Sequence, residues 1–431
     1  MTFEPTLEYA RAADAGDPLR RFRERFALPR GRGSERTVYL CGHSLGLAPI
    51  AARTRVLEEL ADWERLGVRG HHAARRPWIG YHATLTAGLA QLAGAEPLEV
   101  VAMNSLTVNL HLMLASFYRP SRERYRILIE AGAFSSDRHA LASQIAWHGL
   151  DPDQALIELG PRPGESLLRD EDVDAAIARA GSSLALVLWP GVQFRTGQAF
   201  DPARIAAAAR AVGATVGFDL AHAIGNIPLR LHDAGVDFAV WCHYKYLNSG
   251  PGAVGGAFVH LRHALDPTVP RLGGWWGHEA RTRFDMQPRF VPEPGAAGWA
   301  VSNPPVLSTA PLLASLDLFG EAGISRLREK SLALTGYLEF LIRTRLPDDV
   351  VIITPVEGNR RGCQLSLRIV GPQGRGRQVF DALSAAGVVG DFREPDVIRL
   401  APVPLYNGFE DAWHGTSALA AAVAAIPRGA P

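Results

Sequence analysis

The chain has 431 residues, 47% of them hydrophobic and 21% charged, an ordinary globular composition that excludes disordered and fibrous classes. Its 45 basic and 44 acidic residues leave a net charge of +1, so no polycationic surface awaits a nucleic acid. Cys41, Cys242 and Cys363 are too few and too far apart for a disulfide framework or metal motif, and no apolar run approaches the ~18 residues that span a bilayer. With no apolar signal core near Glu4, Glu8 and Asp14, the expectation is a soluble, cytoplasmic protein that needs no membrane.

In chain order, the Arg-rich stretch at 20–25 reads as a solvated helix face and 37–40 as a short strand. Val56, Leu57, Leu60 and Trp63 recur at helical spacing and predict a helix over 50–66. A helix near 83–93 stops at Gly94. Strands follow at 100–104, 125–130, 184–188, 214–219 and 236–241, and helices at 108–117 and 137–149. Another helix opens at Asp201-Pro202, an acidic cap followed by proline at the first position. Short apolar strands alternating with helices predict an α/β fold, a mostly parallel sheet covered on both faces. Pro304, Pro305 and Pro311 mark an exit from this core. Beyond it come a helix at 324–345, strands near 350–353 and 363–370, and helices at 376–386 and 414–425, a smaller α+β unit. The expected division is an N-terminal segment, 1–50, contributing to the small domain, a large domain, 51–310, and a small C-terminal domain, 311–431.

Lys245 and Lys330 are the two lysines of a chain that otherwise uses arginine. A lysine amine can lose its proton and attack a carbonyl; a guanidinium cannot. Lys330 sits in a charged helical pattern and reads as a surface residue. Lys245 lies in Trp-Cys-His-Tyr-Lys-Tyr-Leu-Asn (241–248), where a charge is costly to bury, and reads as a reactive amine. Asp219 ends one predicted strand and Lys245 follows the next, so both project into the crevice where open α/β sheets bind ligands. An acid and an amine there fit pyridoxal 5'-phosphate, the amine as a covalent anchor for the aldehyde and the acid as partner of the pyridine nitrogen. A buried ion pair with only a structural role is the alternative. Asn104-Ser105-Leu106-Thr107, between a strand and a helix, offers backbone donors and hydroxyls to a phosphate. Phe134-Ser135-Ser136-Asp137 offers an aromatic face and a second carboxylate, or else a loop and a helix cap.

Longer motifs add to this. They are Gly-His-Ser-Leu-Gly-Leu (42–47), Arg-Arg-Pro-Trp (75–78), Leu-Thr-Val-Asn-Leu-His-Leu (106–112), Phe-Asp-Leu-Ala-His-Ala-Ile-Gly-Asn (218–226), Tyr-Lys-Tyr-Leu-Asn (244–248), Gly-Trp-Trp-Gly-His-Glu (274–279), Ser-Asn-Pro-Pro (302–305), Arg-Gly-Cys-Gln-Leu (361–365) and Ala-Pro-Val-Pro-Leu-Tyr-Asn (401–407). From about Leu40 to Asn407 the chain resembles the kynureninase family, fold-type I pyridoxal phosphate enzymes of the aspartate aminotransferase superfamily. The resemblance implies hydrolytic cleavage of L-kynurenine or its 3-hydroxy derivative, in tryptophan degradation, by a homodimer. It implies that Lys245 is the Schiff-base lysine, Asp219 the pyridinium partner and Asp137 its auxiliary. Phe134 would stack on the ring, Leu106 and Thr107 bind the phosphate, and Ser135 and Ser136 flank the cofactor. His222 would contact the cofactor, and Tyr244 would touch the phosphate and transfer protons. Trp275 and Asn303 would complete the cofactor and substrate pocket, often across a dimer interface. Arg399 would clamp the substrate α-carboxylate, and His71 would lie near its aromatic ring. Pro190 stands where relatives often carry a hydroxyl residue, and it has no donor to offer.

Alternatives stay open on residues alone. Tyr246 competes with Tyr244, and Arg361 with Arg399; His243, His278 and Trp276 read as structural. Another fold-type I enzyme, an aminotransferase or a desulfurase-like lyase, would share Asp219 and Lys245. A desulfurase also needs a mobile nucleophilic cysteine, which Cys363, inside a predicted strand, does not suit. A scaffold protein that lost catalysis would have no reason to keep Lys245.

Overall fold

The computed structural model describes residues 3–29 and 37–428. Helix α1 (Leu7–Gly16) is capped by Thr6, whose hydroxyl accepts from Tyr9 N. The arginines at 20–25 lie on a short 3₁₀ helix, with Arg20, Arg21 and Arg25 exposed as expected of a solvated face. Phe22 is buried, Arg23 reaches Asp411 and the Tyr406 carbonyl, and Arg21 and Arg25 both pair with Glu321.

Helix α2 (Ile50–Leu66) forms where the apolar spacing predicts it, yet Leu57 and Trp63 are more than half exposed while Glu59 and Asp62 are buried. The acids are inward because they have partners. Glu59 accepts from Arg76, Trp78 and the Tyr81 hydroxyl, and Asp62 from Arg65 and the Arg75 amide. Helix α3 (Ala83–Ala93) ends at Gly94 in the left-handed region, where a β-carbon would meet the Leu229 carbonyl.

A seven-stranded sheet follows. Its strands are β1 (Val100–Ala102), β2 (Arg126–Glu130), β3 (Leu156–Leu159), β4 (Leu184–Pro190), β5 (Thr215–Asp219), β6 (Phe238–Cys242) and β7 (Gly255–Val259). Their spatial order is β1-β7-β6-β5-β4-β2-β3. The block from β6 to β3 is parallel, and β7 runs antiparallel to both neighbours. Helices α4 (Leu106–Phe117), α5 (Ser135–Trp147), α6 (Asp170–Ala180) and α7 (Pro202–Ala211) are interleaved with the strands, and apolar clusters fill the space on both faces. Asp201 caps α7 through the Ala203 amide, with Pro202 at its first position.

Helix α8 (Val306–Ala322) starts after Pro305 and contains Pro311; its Leu312 and Phe319 belong to the core beneath the sheet. Helix α9 (Ile324–Arg345) leads to β8 (Val350–Ile352), β9 (Leu365–Ile369), α10 (Arg375–Ala385), β10 (Asp391–Arg393), β11 (Val397–Leu400) and α11 (Phe409–Ala425). The four strands make an antiparallel sheet in the order β8-β9-β11-β10. A third apolar cluster joins this unit to Ala10, Val38 and Leu40 of the N-terminal segment. Asp14 caps α11, accepting from the Phe409 and Glu410 amides.

Lys330 is not a surface residue. It is buried on α9, 2.7 Å from Asp17, whose side chain is also buried. The neighbouring charges of its helix hide this inward position. Lys330→Ala leaves the Asp17 carboxylate buried without its cation, and we expect a loss of about 3–5 kcal/mol in denaturant unfolding.

Candidate active site

Four neighbouring parallel strands end at one crevice. Glu130 closes β2, Pro190 closes β4, Asp219 closes β5, and Lys245 stands three residues beyond the end of β6. With Asp137 from the first turn of α5 they line a cavity of about 80 Å³, which also takes Leu106, Thr107, Phe134, Ser136, His222 and Tyr244. The segment after β6 is a loop. Gly46 N donates to the Tyr244 carbonyl and Asn248 N to the Lys245 carbonyl, which fixes the loop from both sides. Gly46 is required there, because a β-carbon would lie 2.2 Å from the Lys245 carbonyl oxygen.

Lys245 Nζ lies 3.1 Å from His222 Nε2 and 5.8 Å from the ring centres of both Phe134 and Tyr244. Burial, and then the Lys245 charge, hold His222 well below the usual imidazole range, so it faces the amine as a neutral acceptor. Asp219 Oδ1 accepts from the Ala221 amide at 2.7 Å. Burial raises Asp137 well above the usual carboxylate range, and the Asp219 charge adds to this. Burial, then Asp219, push Glu130 up to about 8.

Helix α4 presents its N-terminus to the cavity without a side-chain cap from Ser105. Thr107 Oγ1 and Ser136 Oγ lie 2.7 Å apart at the same corner. Free amides, two hydroxyls and a positive helix end make an anion cradle. The residues present therefore fit pyridoxal 5'-phosphate. The Asp137 Oδ1, Glu130 Oε2 and His222 Nδ1 atoms are buried without a hydrogen-bond partner among the described residues, as expected of groups that wait for a polar ring. Pro190 also lines the cavity and contributes no donor.

Other predicted residues lie elsewhere. Ser135 is exposed and stands outside the cavity lining, and Trp275 is 44% exposed. Asn303 lines an adjoining space of about 500 Å³ with Tyr244 and Trp276. His71 and Asn303 both line a further cavity of about 540 Å³ at the surface, with Trp63, Trp78, Trp276 and Leu307. The chain thus does not bring His71, Asn303 and Trp275 into the cavity that holds Lys245.

Arg399 is fully buried on β11. Its Nη1 donates to the Phe194 carbonyl at 2.7 Å, and Nη2 lies 2.6 Å from Asp391. Its charge reaches His222 and His43, which places it beside the crevice, and its Nε lacks a partner among the described residues. Arg361 is engaged elsewhere, with Glu339 at 2.5 Å and the Pro355 carbonyl. Tyr246 is buried against Cys363, so Tyr244 is the tyrosine that faces the cavity. His243 is structural, held between Trp241 Nε1 and the Val254 carbonyl. His278 is likewise tied to Thr282 and the Val291 amide. Trp276 is core packing that also walls the two larger cavities.

Cys363 lies just before β9 rather than within it, fully buried, its thiol pushed up to about 12 by burial. That is the opposite of a mobile nucleophile. Sequence reasoning missed Glu130, a charged residue that looks like an ordinary strand terminus. It also missed β11; the signal was an arginine inside the apolar run Val397-Ile398-Arg399-Leu400.

Comparisons with known proteins agree with this geometry. The kynureninase C-terminal domain family matches residues 327–419. The kynureninase of Xanthomonas campestris pv. campestris (strain B100) is 60% identical over 95% of this chain and 96% of its own length. That of Stenotrophomonas maltophilia (strain K279a) is 58% identical over 94% of this chain and 96% of its own. Among solved structures, a mutant of the lyase C-DES, with glycine covalently linked to its PLP cofactor, superposes with a TM-score of 0.75 at 18% identity, covering 92% of this chain and 98% of that one. An apo cysteine desulfurase from Thermococcus onnurineus NA1 gives a TM-score of 0.73 at 15% identity, covering 90% and 95%. At such identities these two speak for the fold, whereas the near-full-length identity to the bacterial sequences decides the family: the chain belongs to the kynureninases.

Proposed function

We infer that the protein is a pyridoxal 5'-phosphate-dependent hydrolase that cleaves the Cβ–Cγ bond of L-kynurenine, or its 3-hydroxy derivative, to anthranilate or 3-hydroxyanthranilate and L-alanine. The observation that carries this reading is the shared cavity of Lys245, Asp219 and Asp137 beside an anion cradle, in a chain 60% identical to a kynureninase over nearly its whole length. The cofactor, when bound, supplies an aldehyde for covalent attachment and a ring that draws electrons from the substrate.

The protein's own groups divide the rest of the work. The N-terminus of α4, with Leu106, Thr107 and Ser136, would hold the phosphate, and Phe134 would cover the ring. Asp219, backed by Asp137, would keep the ring nitrogen protonated. Lys245 would anchor the cofactor and, once displaced by substrate, take the proton from Cα. Neutral His222 would orient the amine. Tyr244, its hydroxyl pushed up by burial, stays protonated at neutral pH and would pass a proton during addition of water to the γ-carbonyl. Arg399 would take the α-carboxylate, with its Nε free of a partner among the described residues.

The same reading has a homodimer. His71, Asn303 and the exposed Trp63, Leu307 and Trp275 would then face a second protomer, with the predicted division of the chain near residues 50 and 310. This apolar rim is the kind of patch that marks an interface. Sedimentation should give a dimer, and Trp63→Asp should shift it toward monomer and lower activity; a fully active monomer would contradict the arrangement. Product analysis with L-kynurenine and 3-hydroxy-L-kynurenine tests the function itself. Anthranilate or its 3-hydroxy form must appear with equimolar alanine, and transamination products alone would refute it.

A further inference from the structure

Glu130 has no assigned part in this chemistry, yet it is 2% exposed and lines the Lys245 cavity together with Asp137 and Asp219. Three carboxyls line one small cavity, and Lys245 is the cation among the described residues of its lining. Ionising all three there is prohibitive, because each buried charge costs several kcal/mol and the like charges repel. Around β2, the polar neighbour of Glu130 is the Gln193 amide, not a base. His222 is held neutral. Arg138 of α5 is spent on Glu158 of β3 at the outer edge, and Arg195 on Asp396. More distantly, Arg399 and Arg393 are tied to Asp391. Glu130 therefore meets its charge problem by holding a proton.

We propose that Glu130 is a third carboxyl of the ring-nitrogen site, a positioning residue protonated in the empty protein that yields its proton to solvent when a cationic pyridinium settles beside Asp219. This rests on the cofactor reading above. Its physical basis is charge balance. The empty cluster keeps its protons to limit repulsion, and a cation arriving at Asp219 favours the ionised form of its neighbours. The sign follows directly. Burial and then Asp219 push the Glu130 carboxyl up to about 8 in the empty protein, and a cation settling beside Asp219 would draw it lower. Loading releases a proton between those two values, so affinity rises with pH up to about 8 and levels off above it.

The probe is pyridoxamine 5'-phosphate, which lacks the aldehyde and so leaves Lys245 out of any covalent linkage. Its Kd is measured by calorimetry on the cofactor-free full chain from about pH 6 to about pH 9, in buffers of differing ionisation heat that count released protons. Over two pH units, wild-type affinity should rise about tenfold more than that of Glu130→Gln, and Glu130→Asp should keep the wild-type slope. Equal slopes in wild type and Glu130→Gln overturn the proposal alone. Should Glu130→Gln not fold, the wild type decides: no proton released near neutral pH overturns it. Absence of binding at every pH overturns the cofactor reading and this proposal with it.

Discussion

Lys245→Arg should lower turnover by more than about 10⁴-fold, beyond the upper range of a positioned acid or base, because the same amine serves as both anchor and base. The substitution is nearly silent for the fold. Lys245 is held by its backbone, through the bonds of Gly46 to Tyr244 and of Asn248 to Lys245, and its side chain contributes only a cation near two aromatic faces and His222. Arginine keeps that cation and roughly that reach. It lacks an amine that deprotonates near neutral pH, and a guanidinium cannot form the covalent link to an aldehyde. Unfolding midpoint and sedimentation should match wild type while the visible absorption of a lysine-linked cofactor disappears. Activity within tenfold of wild type would remove Lys245 from the centre of the mechanism.

The prominence of Lys245 was legible in the sequence for a compositional reason. Where arginine has replaced lysine almost everywhere, a retained lysine in an aromatic setting marks a job that only an amine can do. Lys330, which its charged helix made read as a surface residue, instead forms a buried ion pair with Asp17, a partner more than 300 positions away that no local pattern reveals. Asp219 was legible because strand ends in parallel sheets face a common crevice. Glu130 stands at an equivalent strand end and went unread. Its strand lies two places from that of Asp219, with β4 between them, and only the assembled order β5-β4-β2 shows that both acids reach one cavity.

Strand β7 was missed because Gly255 and Gly256 break the apolar pattern. Both glycines answer to packing. A β-carbon at Gly255 would press on the backbone of Ser105 and Leu106, at the entrance of the anion cradle, and one at Gly256 would strike the Trp241 ring. Helix α2 shows the converse. Its period was correct, but which face turns inward was decided by Arg76, Trp78 and Tyr81 bonding to Glu59, contacts 17 to 22 positions away.

Arg399 and Asp219 should separate cleanly in kinetics. The α-carboxylate carries its charge in the substrate and in the transition state alike, so a group that binds it supports both equally. Arg399→Ala should therefore raise KM, by about 10- to 150-fold for a charge-assisted bond of roughly 1.5–3 kcal/mol, with kcat less affected. Asp391 keeps Arg393 at 3.1 Å, but the buried Phe194 carbonyl loses its donor, so the unfolding midpoint should fall as well and KM is read on the folded fraction. Asp219 acts when electrons move into the ring, and Asp219→Ala should chiefly depress kcat, by about 10²–10⁴-fold if its loss compares with that of a positioned acid or base. Arg361→Ala is the control. Its guanidinium is committed to Glu339 and the Pro355 carbonyl, so its loss should lower the unfolding midpoint and leave KM near wild type. The reverse pattern, with KM raised by Arg361→Ala and unmoved by Arg399→Ala, would move the carboxylate clamp to Arg361. Asp219 would keep its place even then, because it rests on the strand-end geometry it shares with Lys245 rather than on the arginine.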